Sequence, residues 1–247
     1  AAESDRQRFI EESFICEHLD HPNVIRVFEK GEVGNTLYYT MEYFDGRTLQ
    51  EILQKGHPAV PVALLLARVL FEIFHDIHGR GVIHRDVKPG NIMLGKAAVF
   101  SRTGGGRVTA RSLRANVKIL DFGLARFLDS RTLTQTGSFV GSLQYMAPEL
   151  MKGTRGRTPE CDFYSLGVIL YEMLAGRLPY AGQEFWEIVF AIARAEIPAP
   201  DALNPEISPA VSAFVLELVR PDPARRLTDY ERIIAGLDAF LTPEQPA

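Results

Sequence analysis

The chain is 247 residues long, carries a net charge of −4, and is 46% hydrophobic and 23% charged. That length suits one large domain or a two-lobed unit with a full core, and that balance is ordinary for a globular protein. The mild acidity gives no electrostatic case for nucleic acid or an anionic membrane, no apolar run nears the ~20 residues of a membrane span, and no signal-peptide pattern opens the sequence.

Residues 5–20 mix charged and apolar side chains at helical spacing, with Phe9, Ile10, Cys16 and Leu19 inward. His21-Pro22-Asn23 should end that helix, because the residue before a proline avoids the helical region. Two β-like runs, 24–29 and 36–43, flank Gly31 and Gly34-Asn35 as turn residues and predict a hairpin. Asp45-Gly46 should break the second strand, and a short helix is expected near 48–54. In 62–78, Leu65, Leu66, Val69, Leu70, Ile73, Phe74 and Ile77 recur at helical spacing before Gly79. Residues 82–94 read as two short buried strands around a polar loop, and 117–120 as another buried strand. The stretch 161–175 is apolar nearly all round and predicts a helix at the centre of its lobe, closed by Gly176. Helices at about 183–195, 208–219 and 228–241 follow. Ser208-Pro209 is expected to cap the second of these, and Thr228 with Glu231 to form a capping box on the third. Cys16 and Cys161 do not make a disulfide framework and fit a reducing, cytoplasmic compartment. The expected class is α+β, with a small strand-bearing front piece and a larger helical lobe.

The chemistry concentrates in V-I-H-R-D-V-K-P-G-N-I-M-L, residues 82–94. The loop offers a carboxylate (Asp86), a cation two residues on (Lys88), a stiffening proline and an amide (Asn91). His-Arg-Asp with an asparagine five residues after the aspartate resembles the catalytic-loop pattern of protein kinases. Asp121-Phe122-Gly123 follows a strand and places a carboxylate where a hard cation such as Mg²⁺ could take it. G-S-L-Q-Y-M-A-P-E (141–149) and D-F-Y-S-L-G (162–167) come next. With these four motifs in this order, the sequence resembles the serine/threonine protein kinases, and is most similar to the eukaryotic-like kinases of bacteria, over nearly its whole length.

The resemblance implies a protein-kinase-like bilobal fold: a partial N-lobe in 1–44 (one helix and a strand hairpin) and a complete, mainly helical C-lobe in 45–247. It implies ATP and Mg²⁺ as cofactors, with Mn²⁺ as an alternative, and protein substrates with Ser or Thr acceptors. Asp86 would accept or orient the proton of the substrate hydroxyl, and Lys88 would neutralise charge on the transferred phosphate. Asn91 and Asp121 would hold the metal. Lys88 and Ser142 imply a serine or threonine acceptor. Met41 resembles the gatekeeper, the Glu42–Phe44 backbone the hinge that meets adenine, and Met93 the residue beneath the base. Glu12 matches the ion-pairing helix glutamate, with Glu11 adjacent. Glu149 should pair with Arg226, and Asp162 should brace the catalytic loop. Cys16, Val27, His84 and Phe122 would form a stacked apolar spine.

L-T-Q-T (133–136) resembles an autophosphorylated activation segment, so Thr134 or Thr136, then Ser138, are the expected sites, with Arg85 receiving the phosphate. Self-association for that reaction is the expected homotypic contact. Two features depart from the family. No G-x-G-x-x-G and no V-A-I-K lysine occur, so the chain as given is expected to bind ATP weakly and to expose 36–43 as a bare sheet edge. Residues 95–116 form an insertion with Lys96, Arg102, Arg107, Arg111 and Arg114 and no acidic residue, expected to be solvated and mobile, with a docking loop for an acidic partner as the alternative. A pseudokinase-like binding module is the alternative reading. A small-molecule phosphotransferase is disfavoured by Lys88, the A-P-E segment and Arg226.

Overall fold

The computed structural model describes residues 19–34, 36–96, 109–122, 143–151, 158–180, 187, 191–192 and 197–242. Glu11, Glu12 and Cys16, the 124–140 segment with its candidate phosphorylation sites, Ser142, residues 97–108 and most of the helix expected at 183–195 lie outside these residues.

Two helices make the centre. α2 (Val60–Gly79) follows α1 (Leu49–Leu53) and buries Leu66, Val69, Leu70, Phe71, Ile73, Phe74 and Ile77 on one side, the spacing the sequence predicts. Leu65 is half-buried at its margin. Across from it runs α5 (Glu160–Ala175), in which all but three residues are buried, as its all-round apolarity requires. Phe71 and Phe163 meet between the two helices at 6.1 Å. Gly176 ends α5 in the left-handed conformation at φ 71°, a region glycine enters without steric cost. At Gly167 a Cβ would stand 2.8 Å from the Leu218 Cβ, so glycine is what lets α7 (Pro209–Leu218) cross α5 closely. α8 (Tyr230–Leu241) packs along α2 beside α5, with the Tyr230 ring 4.4 Å from Phe163. α3 (Ala110–Arg114), α4 (Pro148–Met151) and α6 (Pro200–Leu203) are short connectors. Among the described residues no helix is long and apolar enough to cross a membrane.

The strands form two small sheets. β1 (Val27–Val33) and β2 (Thr36–Met41) make an antiparallel hairpin running from Val33 opposite Thr36 to Val27 opposite Met41. Gly31 lies within β1, opposite Tyr38, rather than in the turn. β1 also begins at Val27, three residues later than expected. Residues 23–25 are taken by β5 (Val117–Ile119) instead: Ile25 N–H donates to Ile119 O at 3.0 Å and Ile119 N–H to Asn23 O at 2.7 Å. Among the described residues β2 pairs on one side only, and Phe28, Val33, Tyr38, Tyr39, Met41 and Tyr43 are exposed on the hairpin and its exit.

The second sheet has the order β3 (Gly46–Thr48), β4 (Ile92–Gly95), β5, all antiparallel. Gly46 therefore opens a strand instead of only breaking one. Residues 82–84, expected as a strand, are not one. The N–H groups of His84 and Arg85 donate to the Asp162 side chain and not to a neighbouring strand. α8 is capped by Asp229, which accepts from Arg232 N–H at 2.9 Å, and not by Thr228. The carboxylate one residue on does the work expected of the hydroxyl. Ser208 caps α7 as expected, accepting from Val211 N–H.

The described C-terminal part of the insertion is packed. Thr109 and Ser112 cap α3 reciprocally, Leu113 is fully buried, and Arg114 reaches Asp76 and Glu72 on α2. Residues 109–116 therefore belong to the body of the protein, because one leucine and two carboxylates on α2 give them something to bind.

Candidate active site

α2 ends at Gly79, and Gly81 at φ 77° turns the chain into the loop that carries His84, Arg85 and Asp86. The loop is held from below by Asp162, fully buried in the first turn of α5. Its Oδ2 accepts from His84 N–H and from His78 Nε2, and its Oδ1 from Arg85 N–H, each at 2.8 Å. This is the bracing role expected of Asp162. It secures Arg85 at φ 65°, a left-handed conformation costing a non-glycine residue about 1–3 kcal/mol. Burial works to raise the Asp162 pKa, but the hydrogen bond from His78, the nearby imidazoles and the backbone donors prevail and leave it below the ordinary carboxylate value.

His78 continues the chain of contacts. The Tyr230 hydroxyl lies 2.7 Å from His78 Nδ1 and donates to it, which fixes the tautomer that points Nε2–H at Asp162. Burial pushes the Tyr230 hydroxyl pKa far up, so it stays a donor. Tyr230→Phe would leave Nδ1 buried and unpartnered. We expect a loss of about 1–3 kcal/mol, read as a lower urea midpoint at unchanged slope. An unchanged midpoint would show that this hydroxyl supports nothing.

His84 is buried and joins two motifs. Its Nδ1 accepts from Asp86 N–H at 3.2 Å, so Nε2 carries the proton and donates to Leu120 O at 2.9 Å. The ring lies 4.7 Å from Phe122, which is itself buried, and Val27 is buried as well, so the described members of the expected spine are in the core.

Asp86, Lys88 and Asn91 converge. Lys88 Nζ donates to Asp86 Oδ2 at 2.6 Å. Asn91 Nδ2 donates to Asp86 O at 2.9 Å and to Asp86 Oδ2 at 3.2 Å. The 3₁₀ turn Pro89–Asn91 folds the asparagine back onto the aspartate, which explains the five-residue spacing. With its amide nitrogen committed to Asp86, Asn91 would meet a cation through its amide oxygen. Asp121 enters through the backbone: Leu120 N–H donates to Asn91 O at 2.8 Å while Leu120 O receives His84 Nε2. Asp121 follows immediately, exposed and at φ 45°.

Among the described residues no group of three or more His, Cys, Asp or Glu side chains could hold a metal alone. Mg²⁺ does not need one, since it keeps waters and takes one or two carboxylates beside substrate phosphates. An amide oxygen and a carboxylate on adjoining backbone fit that cation.

The expected adenine-side residues lie at the junction of the two sheets. Glu42 N–H donates to Arg26 O at 2.7 Å, so Glu42 could offer a base its carbonyl, and its side chain pairs with Lys118 at 2.8 Å. Phe44 is half-buried. Met93 is half-buried between fully buried Ile92 and Leu94, and so leaves β4 on the face away from the core. The expected pair between Glu149 and Arg226 is present and two-pronged, at 2.7 and 3.0 Å, with Arg226 also donating to Glu160 O.

Sequence reasoning missed Tyr39, His78 and Tyr230. The hydroxyl of Tyr39 donates to Asp121 Oδ1 at 3.0 Å. Its signal was the two-residue offset from Met41, which puts both on one strand face. His78 and Tyr230 are 152 residues apart and carry no local signal.

Residues 1–236 match the family described as "Protein kinase domain". The chain belongs to the protein kinase family. Its few strands in small sheets and its helical body are those of a partial bilobal kinase fold. The kinase domain is 32% identical over 233 residues to "Serine/threonine-protein kinase PrkC" of Bacillus subtilis, covering 94% of this chain and 33% of that protein. It is 31% identical over 231 residues to "Probable serine/threonine-protein kinase PknB" of Lactococcus lactis, covering 93% and 34%. It is 32% identical over 225 residues to "Serine/threonine-protein kinase PknJ" of Mycobacterium tuberculosis, covering 90% and 36%. The chain thus spans about a third of the length of the curated relatives it matches.

Proposed function

We propose that this kinase domain transfers the terminal phosphate of ATP to serine and threonine hydroxyls of proteins. The observation that carries the reading is the convergence on Asp86: one carboxylate oxygen receives both Lys88 at 2.6 Å and Asn91 at 3.2 Å. Phosphoryl transfer asks little covalent help of a protein. It needs positioning and positive charge against developing negative charge.

Asp86 orients the acceptor hydroxyl and takes its proton as the oxygen attacks. Lys88, two residues away and already against that carboxylate, is placed to neutralise charge on the transferring phosphate. Asn91 and Asp121 are the residues that would hold a divalent cation, which supplies charge neutralisation to the phosphates when bound. Glu42, Phe44 and Met93 line the expected base pocket. The acceptor class is supported by Lys88 and by the relatives, which are named as serine/threonine-protein kinases. The same reading extends to autophosphorylation at Thr134 or Thr136, with Arg85 as the phosphate's receiver.

The test uses the full-length gene product, γ-labelled ATP, Mg²⁺ and a generic basic protein, followed by phosphoamino acid analysis. Label in phosphoserine and phosphothreonine, lost on chelating the metal, is the expected result. Label confined to phosphotyrosine would overturn the acceptor assignment. No label on any protein would leave a binding module in place of an enzyme.

A further inference from the structure

Tyr39 is a hairpin residue to which the phosphate-transfer reading gives no task. It lies in β2 opposite Lys30 and two residues before Met41, so its side chain leaves the strand on the Met41 face. Its hydroxyl crosses from the hairpin to the loop after β5 and donates to Asp121 Oδ1 at 3.0 Å, a contact between residues 82 apart in sequence.

The state of Asp121 makes that contact consequential. Its backbone is fixed from behind, since Leu120 is bonded through its N–H to Asn91 and through its carbonyl to His84. Its side chain is a different matter. Asp121 is exposed, stands at φ 45°, and has a short carboxylate free to rotate unless something holds one oxygen. A donor on Oδ1 fixes the carboxylate plane and leaves Oδ2 for another partner. Carboxylates that ligate metals are generally held by an outer hydrogen bond of this kind, and removing it typically costs ~10–100-fold in metal affinity.

We propose that Tyr39 is a positioning residue for the cation-binding carboxylate: through Asp121 Oδ1 it sets the angle at which Oδ2 meets a divalent metal. The inference rests on the reading of Asp121 as a metal ligand. It ties the β1–β2 hairpin to the metal through one hydroxyl, so displacing the hairpin would loosen the cation without touching either ligand.

The experiment measures Mn²⁺ binding, not turnover. Mn²⁺ alone is titrated into the ¹⁵N-labelled chain, and its apparent affinity is read from paramagnetic broadening of the Leu120 and Phe122 amides. Wild type, Tyr39→Phe and Asp121→Asn are compared. Tyr39→Phe keeps the ring and removes the donor, and an otherwise superimposable amide spectrum shows the fold intact. The expected result is binding about tenfold weaker in Tyr39→Phe and abolished in Asp121→Asn. Wild-type or tighter affinity in Tyr39→Phe, with Asp121→Asn still abolishing it, overturns the role of Tyr39 and leaves the metal assignment standing. Equal broadening in wild type and Asp121→Asn overturns the metal assignment itself, and this inference with it.

Discussion

Asp86→Asn in the full-length gene product is expected to lower kcat for phosphate transfer by about 10²–10⁴-fold, the usual contribution of a positioned acid–base group. Asparagine fills the same volume and can still accept from Lys88 through its amide oxygen, so the loop has no steric reason to move. What it lacks is an oxygen that can take a proton. The stability cost should be small. The Lys88 and Asp86 side chains are only 20% and 12% exposed, but the asparagine keeps an oxygen for both Lys88 Nζ and Asn91 Nδ2, so neither donor is stranded. The prediction is therefore a split: a large fall in kcat with an unfolding midpoint near wild type. Steady-state kinetics beside urea unfolding of the same preparation reads both. Transfer within tenfold of wild type would remove Asp86 from the chemistry. A large fall in the midpoint would make it a structural residue instead.

How much of this could be read from the chain alone depended on the range of the interaction. The cluster Asp86, Lys88, Asn91 was legible because a tight turn closes it within six residues, so spacing encodes geometry. The long helices were legible because each buries a continuous apolar stripe. Val24 and Gly46 misled because strand pairing is decided by a distant partner: β5 claims residues 23–25, and β4 recruits Gly46. Residues 82–84 looked like a strand because they are apolar, yet the decisive acceptor was a carboxylate 77 residues downstream of Arg85. The basic insertion looked solvated for the same reason, since Asp76 and Glu72, which receive Arg114, lie on a helix far back in the chain. Tyr39 and Tyr230 act through single hydroxyls whose partners only the fold brings near.

Asp162→Ala is expected to destabilise the kinase domain by about 3–5 kcal/mol, the range seen when one side of a buried, hydrogen-bonded charged group is removed. Alanine strands three donors at once: His84 N–H, Arg85 N–H and His78 Nε2–H. It also frees Arg85 from the contact that secures its left-handed backbone, so the loop bearing Asp86 should relax toward ordinary φ values. Acid adds an independent signature. Burial opposes ionisation of Asp162, but the His78 hydrogen bond, the nearby imidazoles and the backbone donors outweigh it and hold its folded-state pKa below the unfolded value of about 3.9. The unfolded chain then binds the proton more readily, so this group's contribution is complete above pH ~4 and disappears as pH falls through the depressed folded value. Urea unfolding from pH 7 to pH 3 should show wild type losing stability at the acid end more steeply than Asp162→Asn, which has no proton to take up there. Parallel acid slopes, or a loss below 1 kcal/mol in Asp162→Ala at neutral pH, would mean that the catalytic loop stands without its carboxylate brace.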